Sequence, residues 1–536
     1  MPPRRSQSGQ ATSSEAPRPR SLEDTLWKAA AKLRGAMDAA EYKDFVLGLV
    51  FLRYVSDAFS EHRDQVRASA RARGVPDDRV GELVDDPDQY VAAGVFWVPE
   101  EARWDPLTSR VRHENPGEVL DGAMEAIMRA NPALTGVLPT VFGRGNVDPR
   151  RLVELVQLIG HARFTGRDGR TARDVLGEVY EYFLEQFARA EGKRAGEFYT
   201  PACVVKLLVE VLEPYSGRVY DPCCGSGGMF VQAEKFVLAH RGRVEDIAVF
   251  GQESNERTWR LAKMNLALRG IPGDLSDRWA DTFAEDRHPG LKADFVLANP
   301  PFNMSDWARR EDDPRWRYGV PPAGNANFAW LQHIVSKLAD RGSAGVVLAN
   351  GSMSSKQSGE GAIRAAMVED DLVSCMVALP TQLFRTTPIP ACLWFLTTDK
   401  SAQGPMGLTD RRGQVLFIDA RAMGTLVDRT ERVLTDDEIT RIADTYHAWR
   451  GTPSARAKKL AYVDVPGFCR SATLEEIRAH DYVLTPGRYV GVPATVSDDE
   501  PLPARIERLT AELYARFDEA ARLEKIVREQ LERLDA

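Results

Sequence analysis

The sequence predicts an α/β protein flanked by helices, and three observations carry that reading. From about residue 171, short apolar runs alternate with stretches of helical periodicity, the pattern of a parallel sheet wrapped by helices. Residues 22 to about 170 read as mostly helical. Near the C-terminus, Ile506, Leu509, Leu513, Phe517, Ala520, Leu523, Val527, Leu531 and Leu534 are spaced 3, 4, 4, 3, 3, 4, 4 and 3 residues apart, the period of a coiled coil.

Taken in order, residues 1–21 are rich in Arg, Pro, Ser and Gln without an apolar stretch, so a disordered tail and no signal peptide are expected. Ser21-Leu22-Glu23-Asp24 has the form of a capping box, opening a helix with Leu26, Ala30, Leu33 and Met37 on one face. Asn131-Pro132 and Asn146-Val147-Asp148 read as breaks between later helices. The apolar run from Phe45 to Leu52 stops at Arg53, far too short to span a bilayer. Val346-Val347-Leu348 reads as a parallel strand, and Leu372 to Leu379 with Ala391 to Thr397 as a closing strand pair. Pro501 and Pro503 separate the terminal helix from what precedes it. That helix either meets another chain or folds back on its own domain.

Chemistry concentrates at the ends of the apolar runs. Val219-Tyr220-Asp221 leads into Pro222-Cys223-Cys224-Gly225-Ser226-Gly227-Gly228, a strand entering a glycine-rich turn before a helix. Glycines there let the backbone approach a ligand at the helix N-terminus. The dinucleotide fingerprint G-x-G-x-x-G is not matched and no P-loop is present, so a phosphate cradle is not expected. Asp221 suits the ammonium group of an amino-acid-like ligand. Ile247 to Gly251 ends at Gln252-Glu253, placing an acid where it can accept from both ribose hydroxyls, 32 residues after Asp221. Asp281, assigned to the end of a third strand, would face an adenine amino group. Cys223-Cys224 invites a nucleophile reading, which its position in the ligand turn argues against.

Phe295 to Ala298 runs into Asn299-Pro300-Pro301-Phe302. An amino group on a flat ring is a poor nucleophile because its lone pair is delocalised, and something must accept its protons. The Asn299 side-chain oxygen and the Pro300 carbonyl can do so, the prolines contribute no competing N–H, and Phe302 can stack on an extruded base. Alone, the tetrapeptide also fits a stiff strand-end turn. Order and spacing of the motifs favour the chemical reading.

These motifs resemble the modification subunit of type I restriction-modification systems, adenine-N6 DNA methyltransferases that use S-adenosylmethionine. Leu26-Trp27, Lys32-Leu33-Arg34-Gly35 and Phe51-Leu52-Arg53-Tyr54-Val55-Ser56-Asp57 are similar to that family's N-terminal helical domain. Gly196-Glu197-Phe198-Tyr199-Thr200-Pro201 resembles the segment that closes over the cofactor's methionine end, and Asn327-Phe328-Ala329-Trp330, Leu348-Ala349-Asn350-Gly351 and Pro486-Gly487-Arg488-Tyr489-Val490-Gly491 continue the likeness.

The resemblance implies a Rossmann-like, mixed seven-stranded sheet, with a helical domain over 22–170, a methyltransferase domain over 171–491 and an assembly helix over 492–536. It implies Asn299, Pro300, Pro301 and Phe302 as catalytic residues. Glu197, Phe198, Tyr199, Thr200, Asp221, Cys224, Gly225, Ser226, Gly227, Glu253, Asp281 and Asn299 would hold S-adenosyl-L-methionine, with no metal. Implied partners are double-stranded DNA with a flipped adenine, a specificity subunit held through the C-terminal helix and N-terminal domain, and a restriction motor subunit. Two copies per complex and a cytoplasmic location go with that picture. Alternatives are a methyltransferase of another phage-defence system, N4-cytosine transfer, a glutamine-N5 protein methyltransferase, or a non-catalytic cofactor-binding scaffold.

Composition adds two constraints. The six cysteines show no paired metal-ligand spacing. A net charge of −8 suits a protein that does not grip DNA by itself, because phosphate neutralisation carries most non-specific affinity. Only 45 residues follow Gly491, too few for a target-recognition domain, so the sequence reader is expected in another chain. Arg309, Arg310, Arg315 and Arg317 around Trp307 and Trp316 fit a backbone grip beside a flipped base, and equally a solvated loop given Glu311, Asp312 and Asp313.

Overall fold

The computed structural model describes residues 39–144, 148–160, 200–384, 389–402, 407–427 and 431–492, with scattered helical positions between 177 and 187 and between 506 and 522. The expected tail, the capping box at Ser21 and most of the terminal heptad positions lie outside these residues.

The N-terminal part is built from helices α1 (Ala39–Ala72), α2 (Asp77–Val84), α3 (Pro87–Ala92), α4 (Trp104–His113), α5 (Pro116–Ala130) and α6 (Pro149–Gly160). Phe45, Leu49, Leu52 and Phe59 of α1 recur at helical spacing and are buried. They pack with Trp104, Leu107, Leu120, Ile127 and Leu155 into one core. Phe59 stacks on Tyr90 at 4.7 Å, and Trp97 meets both rings edge-on. Asn131 ends α5 as expected, its side chain donating to the Ile127 and Trp97 carbonyls. Among the described residues no helix is long and apolar enough to cross a membrane.

Helix α7 (Ala202–Leu212) leads into the sheet. The first half alternates β1 (Gly217–Asp221), α8 (Gly228–Ala239), β2 (Ile247–Gly251), α9 (Glu256–Arg269), β3 (Gly273–Asp274) and β4 (Ala293–Ala298). The second half holds α10 (Asn327–Lys337), β5 (Leu338–Ala349), α11 (Glu360–Glu369), β6 (Val373–Ala378), β7 (Ala391–Thr397) and β8 (Gln414–Asp419). A small ribbon of β9 (Thr425–Leu426) and β10 (Arg432–Val433) precedes α12 (Asp436–Arg450), α13 (Pro453–Ala457), β11 (Cys469–Thr473) and α14 (Leu474–Ala479).

The sheet runs β11-β8-β6-β7-β5-β4-β1-β2-β3. Strands β3 through β5 are parallel, β7 enters antiparallel between β5 and β6, and the expected closing pair is there. Seven strands were expected; among the described residues this sheet has nine, because β8 joins parallel to β6 and β11 caps the edge antiparallel to β8. The apolar Val415-Leu416-Phe417-Ile418 run of β8 is buried like a central strand. By contrast, the Cys-Arg-Ser-Ala-Thr of β11 has no strand signature; it pairs with the free backbone groups of the edge and buries Cys469 and Ala472 in the cores.

Helix α9 ties the two parts together. Asn255 caps its start by accepting from the Arg257 and Thr258 N–H groups, and Gly270 ends it in the left-handed region. Its Leu261, Met264 and Leu268 face the N-terminal core, while Ala262 and Leu266 belong to the sheet's core. Tyr54 donates to the Leu268 carbonyl and Tyr180 to the Leu261 carbonyl.

Candidate active site

Parallel strands bring their carboxyl ends to one edge, and pairing fixes who meets whom. Asp221 sits opposite Gly251, and Tyr220 opposite Val296, so Asp221, Glu253 and Asn299 emerge side by side. A cavity of about 310 Å³ opens there, with Thr200, Asp221, Cys224, Gly225, Ser226 and Asn299 among its lining residues.

The turn after β1 is shaped as its glycines suggest. Gly225 has φ +53° and Gly227 φ +82°, the left-handed region that disfavours a side chain. Gly227 stands at the N-cap of α8, so the turn delivers the helix's free N–H groups to the cavity. Asp221 is buried and accepts from the Cys223 N–H at 3.0 Å. Burial, reinforced by the nearby Glu253 charge, pushes its carboxyl up to about 7. Burial likewise pushes the Cys224 thiol well up, with the Asp221 charge adding to it, which leaves it a poor nucleophile.

Glu253 accepts from Gly225 N–H at 3.0 Å and from Asn255 N–H at 2.8 Å. It therefore binds the first turn to the second strand. The preceding Gln252, fully buried, donates to the Ala280 and Glu285 carbonyls and accepts from Arg287 N–H. That one amide fastens the 280–287 loop beside β2.

The expected placing of Asp281 on a third strand needs correction. Strand β3 is only two residues long, and Asp281 lies in the loop beyond it, where its carboxylate accepts from the Phe283 and Ala284 N–H groups at 2.8 Å. Backbone contact still holds this loop at the site: Ala280 N–H donates to the Glu253 carbonyl, and the Thr282 hydroxyl to the Pro222 carbonyl at 2.6 Å.

Asn299 is half-buried directly after β4. Its Nδ2 donates to the Thr200 hydroxyl oxygen at 2.8 Å. Its Oδ1 is buried and has no hydrogen-bond partner among the described residues. An unpaired buried acceptor costs about 1–3 kcal/mol, so this oxygen, standing beside the cavity, is open to a donor. Pro300 is buried, and Phe302 is half-buried with its ring edge-on to Phe384 at 5.8 Å. The loop then turns at Asn303, φ +52°, whose N–H and Oδ1 pair with the Asn327 side chain at 3.0 and 2.9 Å. Glu197, Phe198 and Tyr199 fall outside the described residues.

Asn265 was not singled out by the sequence reading. It is buried on α9, lines the cavity, and donates to the Ser226 carbonyl at 2.9 Å. Its signal is an amide at a buried helix position between Leu261, Ala262 and Leu268. Gln252 gave no comparable cue.

The aromatic residues of the arginine-rich loop are turned inward, while two of its arginines stay exposed. Trp307 and Trp316 are buried with Phe283 and Trp330, so their faces are used inside the protein. Arg315 is also enclosed: it pairs with Asp313 and donates to the Thr282 and Phe283 carbonyls and to His333 Nδ1. Burial and the adjacent guanidinium bring His333 down to about 3, so it stays neutral. Arg310 and Arg317 point outward, beside Asp313 and Asp370.

Comparison with known proteins follows this geometry. Residues 171–498 match the N-6 DNA Methylase family model, and residues 22–159 match the HsdM N-terminal domain. The HindI methylase subunit of Haemophilus influenzae is 46% identical over 455 residues, spanning 81% of this chain and 99% of the relative. The MjaIX methylase subunit of Methanocaldococcus jannaschii is 37% identical over 529 residues, 96% of this chain and 91% of the relative. Among solved structures, the type I methyltransferase subunit from Streptococcus thermophilus superposes with a TM-score of 0.70 at 27% identity, covering 88% of this chain and 99% of that one.

Proposed function

The chain belongs to the methylase subunits of type I restriction enzymes and is an adenine-N6 DNA methyltransferase, and we propose that Asn299 is the residue on which its chemistry turns. The observation that carries this is the buried, unpaired Oδ1 of Asn299 at the carboxyl end of β4, beside the cavity of the glycine turn.

Family membership implies S-adenosylmethionine as the methyl donor, and the residues present fit it. Asp221, a buried carboxylate held from full ionisation, suits the ligand's ammonium group, and Glu253 at the end of β2 suits the ribose hydroxyls. Gly225, Ser226 and Gly227 leave room for close approach of the ligand to the backbone. Cys224 lines the pocket rather than attacking, and Asp281 lies in the loop that Gln252 fastens beside β2. When bound, the cofactor supplies a methyl group made electrophilic by its sulfonium charge.

The protein's own part is positioning. Asn299 Oδ1 accepts one N–H of the target adenine's N6 amine and the Pro300 carbonyl accepts the other, which withdraws the lone pair from the ring. Pro301 stiffens the loop, and Phe302, braced by Phe384, stacks on the base flipped from double-stranded DNA. Conversion of Asn299 to alanine tests this: methyl transfer is lost while cofactor binding persists.

The wider assembly extends the same reading. The chain works with a separate specificity subunit and a restriction motor subunit, two copies per complex, on DNA in the cytoplasm. The terminal helix and the N-terminal domain are the docking elements. In support, Ile506 and Phe517 are 56% and 58% exposed. A glutamine-N5 protein methyltransferase or a bare scaffold would account for neither the N-terminal domain match nor the methylase relatives.

A further inference from the structure

We infer that Thr200 is a positioning residue for methyl transfer, fixing which end of the Asn299 amide faces the target amine. An asparagine amide is nearly symmetric in shape and opposite in chemistry at its two ends. Only one orientation serves an amine. With Oδ1 forward, the amide accepts the N6 proton; with Nδ2 forward, two donors face each other and the lone pair gains nothing.

The structure holds the first orientation through one contact. Asn299 Nδ2 donates to Thr200 Oγ1 at 2.8 Å, and Oδ1 is left buried without a partner among the described residues. In the reversed orientation the Thr200 hydroxyl could still donate to the carbonyl, so selection requires that its hydrogen be engaged elsewhere. Thr200 lines the same cavity as Asp221 and Gly225, so a polar ligand bound there would offer that hydrogen an acceptor. Accepting from Asn299 while donating to such a ligand, the hydroxyl would hold the amide with Oδ1 toward the target amine. The backbone supports this placement. Thr200 directly precedes Pro201, the N-cap of α7, and that helix is packed into the sheet's core through Val204, Leu207 and Leu208. The contact joins residues 99 positions apart, so no local turn produces it.

This role rests on the amine-holding reading of Asn299, and the experiment separates the two. Thr200→Val, Thr200→Ser, Thr200→Ala and Asn299→Ala are compared in the assembled modification complex for kcat and KM of methyl transfer to duplex DNA. S-adenosylmethionine dissociation constants are measured on each by calorimetry. The expected result is that T200V and T200A lower kcat by about tenfold, the scale of one lost hydrogen bond, with KM for DNA unchanged and any loss of cofactor affinity smaller than the loss of kcat. T200S restores kcat. Full kcat in T200V or T200A would overturn the role of Thr200 while leaving that of Asn299 standing. Loss of cofactor affinity matching the loss of kcat would also overturn it, placing Thr200 with the cofactor alone. Transfer by Asn299→Ala at the wild-type rate would instead remove the premise. T200A carries the same arms without the bulk of valine, should T200V not fold.

Discussion

The carboxylate of Glu253 accepts the backbone N–H of Gly225 at 3.0 Å, so the acid that ends β2 also holds the turn that follows β1. Two ligand-facing elements are thus set by one side chain. The left-handed Gly225 needs such a clamp, since a glycine at φ +53° has many other conformations open to it.

Glu253→Ala is expected to weaken S-adenosylmethionine binding by about 1.5–3 kcal/mol, the range for hydrogen bonds to a charged group. Glu253→Gln should fall between, because one amide oxygen can serve the turn or a ribose hydroxyl but carries no charge. Calorimetric titration of both variants checks this. An unchanged dissociation constant in the alanine variant would remove Glu253 from the cofactor site.

Asp221 gives the site a pH dependence with a definite sign. Its carboxyl rises from an ordinary 3.8 to about 7 in the folded protein, through burial and the Glu253 charge. Without ligand, its contribution to stability is full below the ordinary value and is lost as pH rises through about 7. A cationic ligand needs the ionised form. Cofactor affinity should therefore climb as pH rises toward about 7 and level off above it, with protons released on binding below that point. Calorimetry in buffers of different ionisation enthalpy measures the release, and Asp221→Asn should abolish both it and the pH slope.

Deleting residues 506–536 should leave a folded, cofactor-binding protein that no longer enters the complex with its specificity subunit. Exposed Ile506 and Phe517 are the reason, being apolar side chains that another chain's helices would bury. Co-purification, alongside a thermal melt of the truncated chain, distinguishes this from a helix folded on its own domain, which predicts a lower melting temperature and weaker cofactor binding.

Much of the site was legible because its signals are local. Asp221 with its glycines, and Asn299 with its prolines, are contiguous in sequence and stand at the ends of apolar strands. Contacts across the chain were not legible. Gln252 clamping the 280–287 loop, Asn265 holding Ser226 and Thr200 orienting Asn299 all depend on strand register and helix packing. Asp281 was misplaced because β3 is too short to carry a pattern. Trp307, Trp316 and Arg315 fitted a backbone grip and a solvated loop equally and are instead enclosed, since composition does not say which face of a loop is inside. Strand β11 was missed because its five residues carry only two small buried side chains, Cys469 and Ala472, too few to show a strand pattern.

Whether the Asn299 oxygen accepts from the target amine is decided by single-turnover methyl transfer in Asn299→Ala. With labelled S-adenosylmethionine and duplex DNA in the assembled complex, transfer is expected to be abolished while calorimetry shows nearly unchanged cofactor affinity. Transfer at the wild-type rate by this variant would contradict that role.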